Sequence, residues 1–171
     1  MTGSSMKLIR HLAAAVVVLA IGAAAFVALT DKPLAPTVPY TLLDGSTHST
    51  EQLRGQVVLV NFWATSCVTC VKEMPELIAT HEKFESRGYQ TLAVAMSYDP
   101  PAYVVNFVET RKLPFLVTMD LDGSIARSFG DVQLTPTSVL INKRGEVVKR
   151  YLGEPDFEEL HALVDELLAE S

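Results

Sequence analysis

Apolar positions along this chain fall into three kinds of pattern. The first is an uncharged run over residues 12–29, made mostly of Ala, Val, Leu and Ile. The second is a set of short, nearly unbroken apolar runs with β-branched residues. Val57–Trp63 (VVLVNFW) and residues 92–96 (LAVAM) predict strands buried on both faces. The third is amphipathic. Met74, Leu77, Ile78, His81 and Phe84 recur at spacings of three and four and predict a helix over 67–87, stopped by Gly88. Strand, long helix and strand make a βαβ unit, so the two strands are expected to be parallel.

Further along, Asp99 is placed to cap a helix opened by Pro100 and Pro101, with Tyr103, Val104, Phe107 and Val108 as its packed face. Residues 116–119 predict a short strand, Asp122-Gly123 a turn, and 124–129 a short helix ending at Gly130. Residues 138–141 and 147–152 predict two strands. The loop Asn142-Lys143-Arg144-Gly145 is too short for anything but an antiparallel hairpin. A last helix runs from Phe157 to about Ala169. Asp156 and Glu159 resemble the acidic form of a capping box, and Phe157, Leu160, Val164, Leu167 and Leu168 point to one side. The sum is an α/β domain with a mixed central sheet and helices on both faces.

The N-terminal run changes the organisation. Lys7 and Arg10 precede it, and Asp31 and Lys32 end it. As a helix it would span about 27 Å at roughly 1.5 Å per residue, near the ~30 Å hydrocarbon core. The basic stretch 1–11 is expected to stay in the cytoplasm and the remainder to face outward across the cytoplasmic membrane, on the periplasmic side. Ala23-Ala24-Ala25 fits a signal-peptidase site, so the run is a signal peptide or a retained anchor; its length exceeds the ~7–15 residues of a signal core and favours the anchor. No cysteine lies near its end, which excludes a lipid-modified one. Pro33, Pro36 and Pro39 then predict an extended linker over 30–39, with the folded domain over 40–171. From Pro33 onward 19 acidic residues outnumber 11 basic ones, for a net charge of −8. Nucleic acid is therefore not an expected partner, because phosphate binding needs a basic footprint.

The candidate chemistry lies in the only two cysteines, Cys67 and Cys70, where the strand-like run gives way to the helix. At a helix N-terminus, unsatisfied N–H groups and the dipole favour negative charge. A thiolate at Cys67 would be stabilised and nucleophilic. Cys70, one turn further in, is placed to attack a mixed disulfide. Three plainer readings stand beside redox exchange: a structural disulfide, a zinc site and an inert buried pair. A disulfide closing four residues stabilises by only about 2 kcal/mol in the chain-entropy model. Zinc needs about four ligands, and His48, His81 and His161 are isolated in sequence. A dithiol is also a soft Cu(I) site, with Met96 and Met74 as the methionines placed to approach it.

Four stretches resemble the thioredoxin superfamily, and within it the membrane-tethered TlpA/ResA-type branch. VVLVNFWATSC is similar to the strand that runs into the family's active-site loop. CVTCVKEMP resembles its C-x-x-C-x-x-E-x-P helix start. LTPT, residues 134–137, resembles the loop with the family's cis-proline, and SVLINKRGEVVKRYLG its closing hairpin. The helix and strand expected after Met96 sit where this branch has an insertion. Two positions depart from the pattern: Ser66 stands where many members have a second tryptophan, and Thr69 where many have proline. Threonine there also resembles the cytochrome c maturation reductases.

The resemblance implies a thioredoxin-like fold and extracytoplasmic thiol–disulfide exchange, most simply as a reductase of client proteins. Cys67 would attack, Cys70 would resolve, and Glu73 would accept a proton. The clients would carry cysteine pairs, in apocytochromes c or copper-site proteins, and a transmembrane thiol-reductant conduit would return electrons. No dissociable cofactor is implied beyond the Cys67–Cys70 disulfide. An oxidase or isomerase would use the same residues with opposite electron flow. Read from pattern alone, Glu73 is a solvated carboxylate on the helix flank; the functional alternative is a partly buried acid of raised pKa. The resemblance makes the Thr135–Pro136 bond cis, with the Thr135 backbone as an edge for an extended substrate segment. Trp63 is a core anchor or a wall beside the thiols. Pro75 lacks an N–H and is expected to bend the helix below the dithiol as structural support.

Overall fold

The computed structural model describes residues 32–170, together with His11, Val16, Val18, Leu19 and Gly22 ahead of them. The chain divides into two units, Met1–Pro33 and Leu34–Ser171. In the first, the five described residues are helical, and Val16, Val18 and Leu19 are exposed. Otherwise the membrane run expected over 12–29 lies outside the described residues. Among those described, no helix is long and apolar enough to cross a membrane.

The second unit is built on a five-stranded sheet in the order β5-β4-β3-β6-β7. These strands are Val57–Trp63 (β3), Tyr89–Ala95 (β4), Leu116–Met119 (β5), Thr137–Ile141 (β6) and Val147–Leu152 (β7). β3, β4 and β5 are parallel, while β6 and β7 run antiparallel, so the sheet is mixed as expected. β3 is central, and all seven of its residues are buried. Its alternation assigns each face. Val57, Leu59 and Trp63 pack under helices α1 (Val68–Phe84), α2 (Pro101–Arg111) and α4 (Phe157–Ala169). Val58, Val60 and Phe62 pack on the opposite face under α3 (Ser124–Ser128) and against Ala35, Val38, Tyr40 and Leu42.

α1 is capped at its start by Cys67 and is followed by one three-residue 3₁₀ turn, Glu85–Arg87, before Gly88 closes it at φ +93°, a left-handed conformation that suits glycine. Pro75, exposed, lies inside α1, which runs without a break from Val68 to Phe84. α4 starts where Asp156 accepts from the Glu159 N–H at 3.0 Å. The reciprocal half of the capping box is replaced, because the Glu159 carboxylate pairs with Lys149 instead.

Three expectations are corrected. Residues 34–39 are not a free tether: Leu34 bridges Glu146, the Ala35 N–H donates to the Gly145 carbonyl, and the Val38 N–H donates to Thr50 Oγ1. The prolines that suggested a linker carry no N–H, so the segment can lie along the domain with few donors left to satisfy. It leads into a small hairpin absent from the sequence reading, Pro39–Thr41 (β1) and Thr47–Ser49 (β2), around the Asp44-Gly45 turn. Tyr103 is 64% exposed rather than packed; Val104 is the buried residue of α2. Finally, Asp99 does not cap α2. Pro100 holds the N-cap position with no side-chain bond, and Asp99 is turned elsewhere.

Candidate active site: a disulfide at the start of a helix

β3 carries the chain through the core to Trp63, and Ala64–Ser66 turns it into α1. Cys67 is the N-cap, in extended conformation, and its Sγ accepts from the Cys70 N–H at 3.1 Å. The sulfur thus takes the place a Ser or Asp oxygen occupies at other helix starts. Cys67 and Cys70 form a disulfide, with their Cα atoms 5.2 Å apart. The two sulfurs differ in access: Cys67 is half-buried and Cys70 fully buried.

One turn further along α1, Glu73 is also fully buried. Its Oε1 accepts from Asn61 Nδ2 at 3.0 Å, and the same amide nitrogen donates to Ser138 Oγ at 2.9 Å. Asn61 and Ser138 are register partners across β3 and β6, so the sheet delivers both to the helix-covered face. Glu73 Oε2 and Asn61 Oδ1 have no hydrogen-bond partner among the described residues. Burial pushes the Glu73 carboxyl up, the Asn61 donor pulls it partly back, and the Glu154 charge adds to the rise; the result is a pKa of about 7. Of the two readings of Glu73, the structure gives the buried acid and not the solvated carboxylate.

The Thr135–Pro136 bond is cis. β6 begins at Thr137, which pairs with Phe62 in register, so Pro136 lies at the same end of the sheet as the start of α1. The loop is pinned by the Gly153 N–H donating to the Pro136 carbonyl at 2.8 Å and by Thr137 Oγ1 donating to the Leu134 carbonyl at 2.7 Å. Thr135 is half-buried beside the exposed Leu134. Trp63 is corrected as a client-contacting wall: it is fully buried, with its ring against Phe107 at a centroid separation of 5.1 Å.

The remaining candidates stay apart. His48 stacks on Tyr40, His81 pairs with Glu85 and His161 meets Thr80. Among the described residues no group of three or more His, Cys, Asp or Glu could hold a metal ion. Met74 packs in the cluster that holds Cys70, but Met96 packs in the cluster on the other face of the sheet. Sequence reasoning missed Asn61, Ser138, Thr65 and Asp99. Asn61 had a visible signal, as the one polar residue inside an otherwise apolar strand; the others had none.

A thioredoxin-like mixed sheet that presents a CxxC disulfide at a helix N-terminus, near a cis-proline loop, defines a thiol–disulfide oxidoreductase. Comparison with known proteins agrees. The chain matches the Redoxin family over residues 29–166. It is 36% identical over 126 residues to the thiol-disulfide oxidoreductase ResA of Bacillus thuringiensis subsp. konkukian, covering 74% of this chain and 72% of that one. A solution structure from Neisseria meningitidis, described as a thioredoxin, superposes with a TM-score of 0.76 at 42% identity, over 82% of this chain and 93% of its own. A Chlorobium tepidum structure described as a thiol:disulfide interchange protein DsbE gives 0.74 at 27% identity, over 81% and 99%. The chain belongs to the redoxin family of the thioredoxin superfamily, in its ResA-type branch. Membership of this family implies cysteine-containing client proteins.

Proposed function

We propose that residues 12–29 hold this domain on the outer face of the cytoplasmic membrane, where its dithiol reduces disulfides in client proteins. The Cys67 thiolate attacks one sulfur of a client disulfide. A mixed disulfide forms and the first client sulfur leaves as a thiolate. Cys70 then loses its proton to Glu73, whose Oε2 is the carboxyl oxygen left without a partner among the described residues. The Cys70 thiolate attacks Cys67, the Cys67–Cys70 disulfide re-forms, and the second client thiol is released. Two electrons have passed to the client. A transmembrane thiol-reductant conduit returns them. Thr135 and Pro136 present a backbone edge to the extended client segment. Cysteine pairs of apocytochromes c or copper-site proteins suit such a reductase.

The observation that carries this reading is the asymmetry of the site. One sulfur is reachable and accepts from a helix N–H, that of Cys70; the other is shielded, and a buried carboxyl titrating at about 7 lies one turn from it. Cys70→Ala in the full chain is expected to accumulate client proteins disulfide-linked to Cys67. A reduction potential near the ~−270 mV of thioredoxin supports reduction, whereas one near the ~−120 mV of DsbA reverses the direction. Copper bound with no trapped client would replace exchange with metal delivery.

A further inference from the structure

The turn after β4 touches both loops of the site. Tyr98 Oη lies 3.1 Å from Thr135 Oγ1, beside the cis bond. Its neighbour Asp99 is only 4% exposed and reaches the other loop: Oδ2 accepts from the Thr65 N–H and Oδ1 from Thr65 Oγ1, each at 2.6 Å. Both carboxylate oxygens therefore serve one residue, two positions before Cys67. Among the described residues no ion pair includes Asp99. A buried carboxylate with no cation is a costly way to hold a loop, since a neutral amide could link the same two atoms, accepting from one and donating to the other.

The geometry points to Asp99 as a positioning residue for the cysteine loop whose negative charge also holds the Cys67–Cys70 couple at a more reducing potential. This rests on the exchange function proposed above. Reduction consumes two electrons and two protons and converts the disulfide to two thiols, one of which, Cys67, ionises readily. Whatever stabilises that thiolate favours the dithiol and raises the potential. The N-terminus of α1 stabilises it. A carboxylate fixed behind the same loop works against it. Among the described residues, the first two turns of α1 also carry Glu73 and Lys72, the latter joined to Glu154 at 2.8 Å.

Two substitutions separate charge from position. In Asp99→Asn the amide oxygen can still accept from the Thr65 N–H, and the amide nitrogen can donate to Thr65 Oγ1, so the brace survives without its charge. In Thr65→Val the carboxylate loses its hydroxyl donor and its field is less compensated. The full chain, in detergent, is equilibrated with dithiothreitol buffers, the disulfide fraction is read, and the pH dependence of iodoacetamide alkylation reports Cys67 ionisation. Asp99→Asn is expected to shift the equilibrium three- to tenfold toward the dithiol, roughly 14 to 30 mV upward at about 29.6 mV per tenfold, and to move Cys67 ionisation to lower pH. Thr65→Val is expected to move both in the opposite direction. A purely structural brace would shift both variants the same way. That result, or changes below twofold in both, overturns the inference. Absence of trapped clients with Cys70→Ala would instead sink the exchange function, leaving the potentials measurable.

Discussion

Glu73→Gln isolates the energetic consequence of burying a carboxyl beneath the dithiol. The side chain is fully buried, and its pKa stands at about 7 against an ordinary 4.5. At about 1.4 kcal/mol per pH unit the gap corresponds to ~3 kcal/mol. The folded state binds this proton more tightly than the unfolded chain does. The stabilisation is therefore fully present below about 4.5, declines as pH rises, and is gone once pH has passed about 7. Glutamine mimics the protonated acid. Its oxygen can accept from Asn61 Nδ2, and its amide can donate to the unpartnered Asn61 Oδ1. The two proteins should match in stability near pH 4.5, and the variant should be the more stable by ~3 kcal/mol at pH 8. Urea unfolding of the oxidised protein across this range measures the difference, and the disulfide keeps both cysteines from titrating. His81 and His161, whose pKa values burial lowers, tilt the individual curves the other way but cancel between the two proteins. A difference that stays constant with pH within about 0.5 kcal/mol would refute the reasoning, because Glu73 would then titrate alike in both states.

The same network and the core beneath the sheet support one further expectation each. Asn61→Leu removes the donor that pulls the Glu73 carboxyl down, so the inflection near 7 in the pH profile of disulfide exchange should move to higher pH; an unmoved inflection would dissociate Asn61 from the proton transfer. Leu160→Ala empties a fully buried position of α4 against the sheet and should cost about 2–5 kcal/mol by denaturant midpoint, while leaving the reduction potential unchanged.

Some of this protein could be read directly from its residues. Val57–Trp63, Phe157–Ala169, Leu116–Met119 and Val147–Leu152 have the boundaries their patterns predict. In each, local rules suffice: a short run rich in β-branched residues, a loop too short for anything but a hairpin, or apolar spacing that follows a cap. The cysteine pair was equally plain, because three-residue spacing at a strand-to-helix junction is a local fact. The hairpin of β1 and β2 was not legible, since three-residue strands with sequences PYT and THS carry no usable alternation. Nor was Tyr103, which has the helical spacing of a core residue but stands on the solvent side of α2.

What the sequence determined by itself is the order of the elements and the thiol chemistry at the head of α1, because both arise from interactions within a few neighbours along the chain. What the tertiary structure decided is how acidic or basic that site becomes. Asn61 meets Ser138 only through the pairing of β3 with β6, Glu73 loses water only when α1 packs on that face, and Asp99 reaches Thr65 across 34 residues of chain. Burial and charge act through space, so the surroundings of a group set its proton affinity, and those surroundings exist only once distant segments have been brought together.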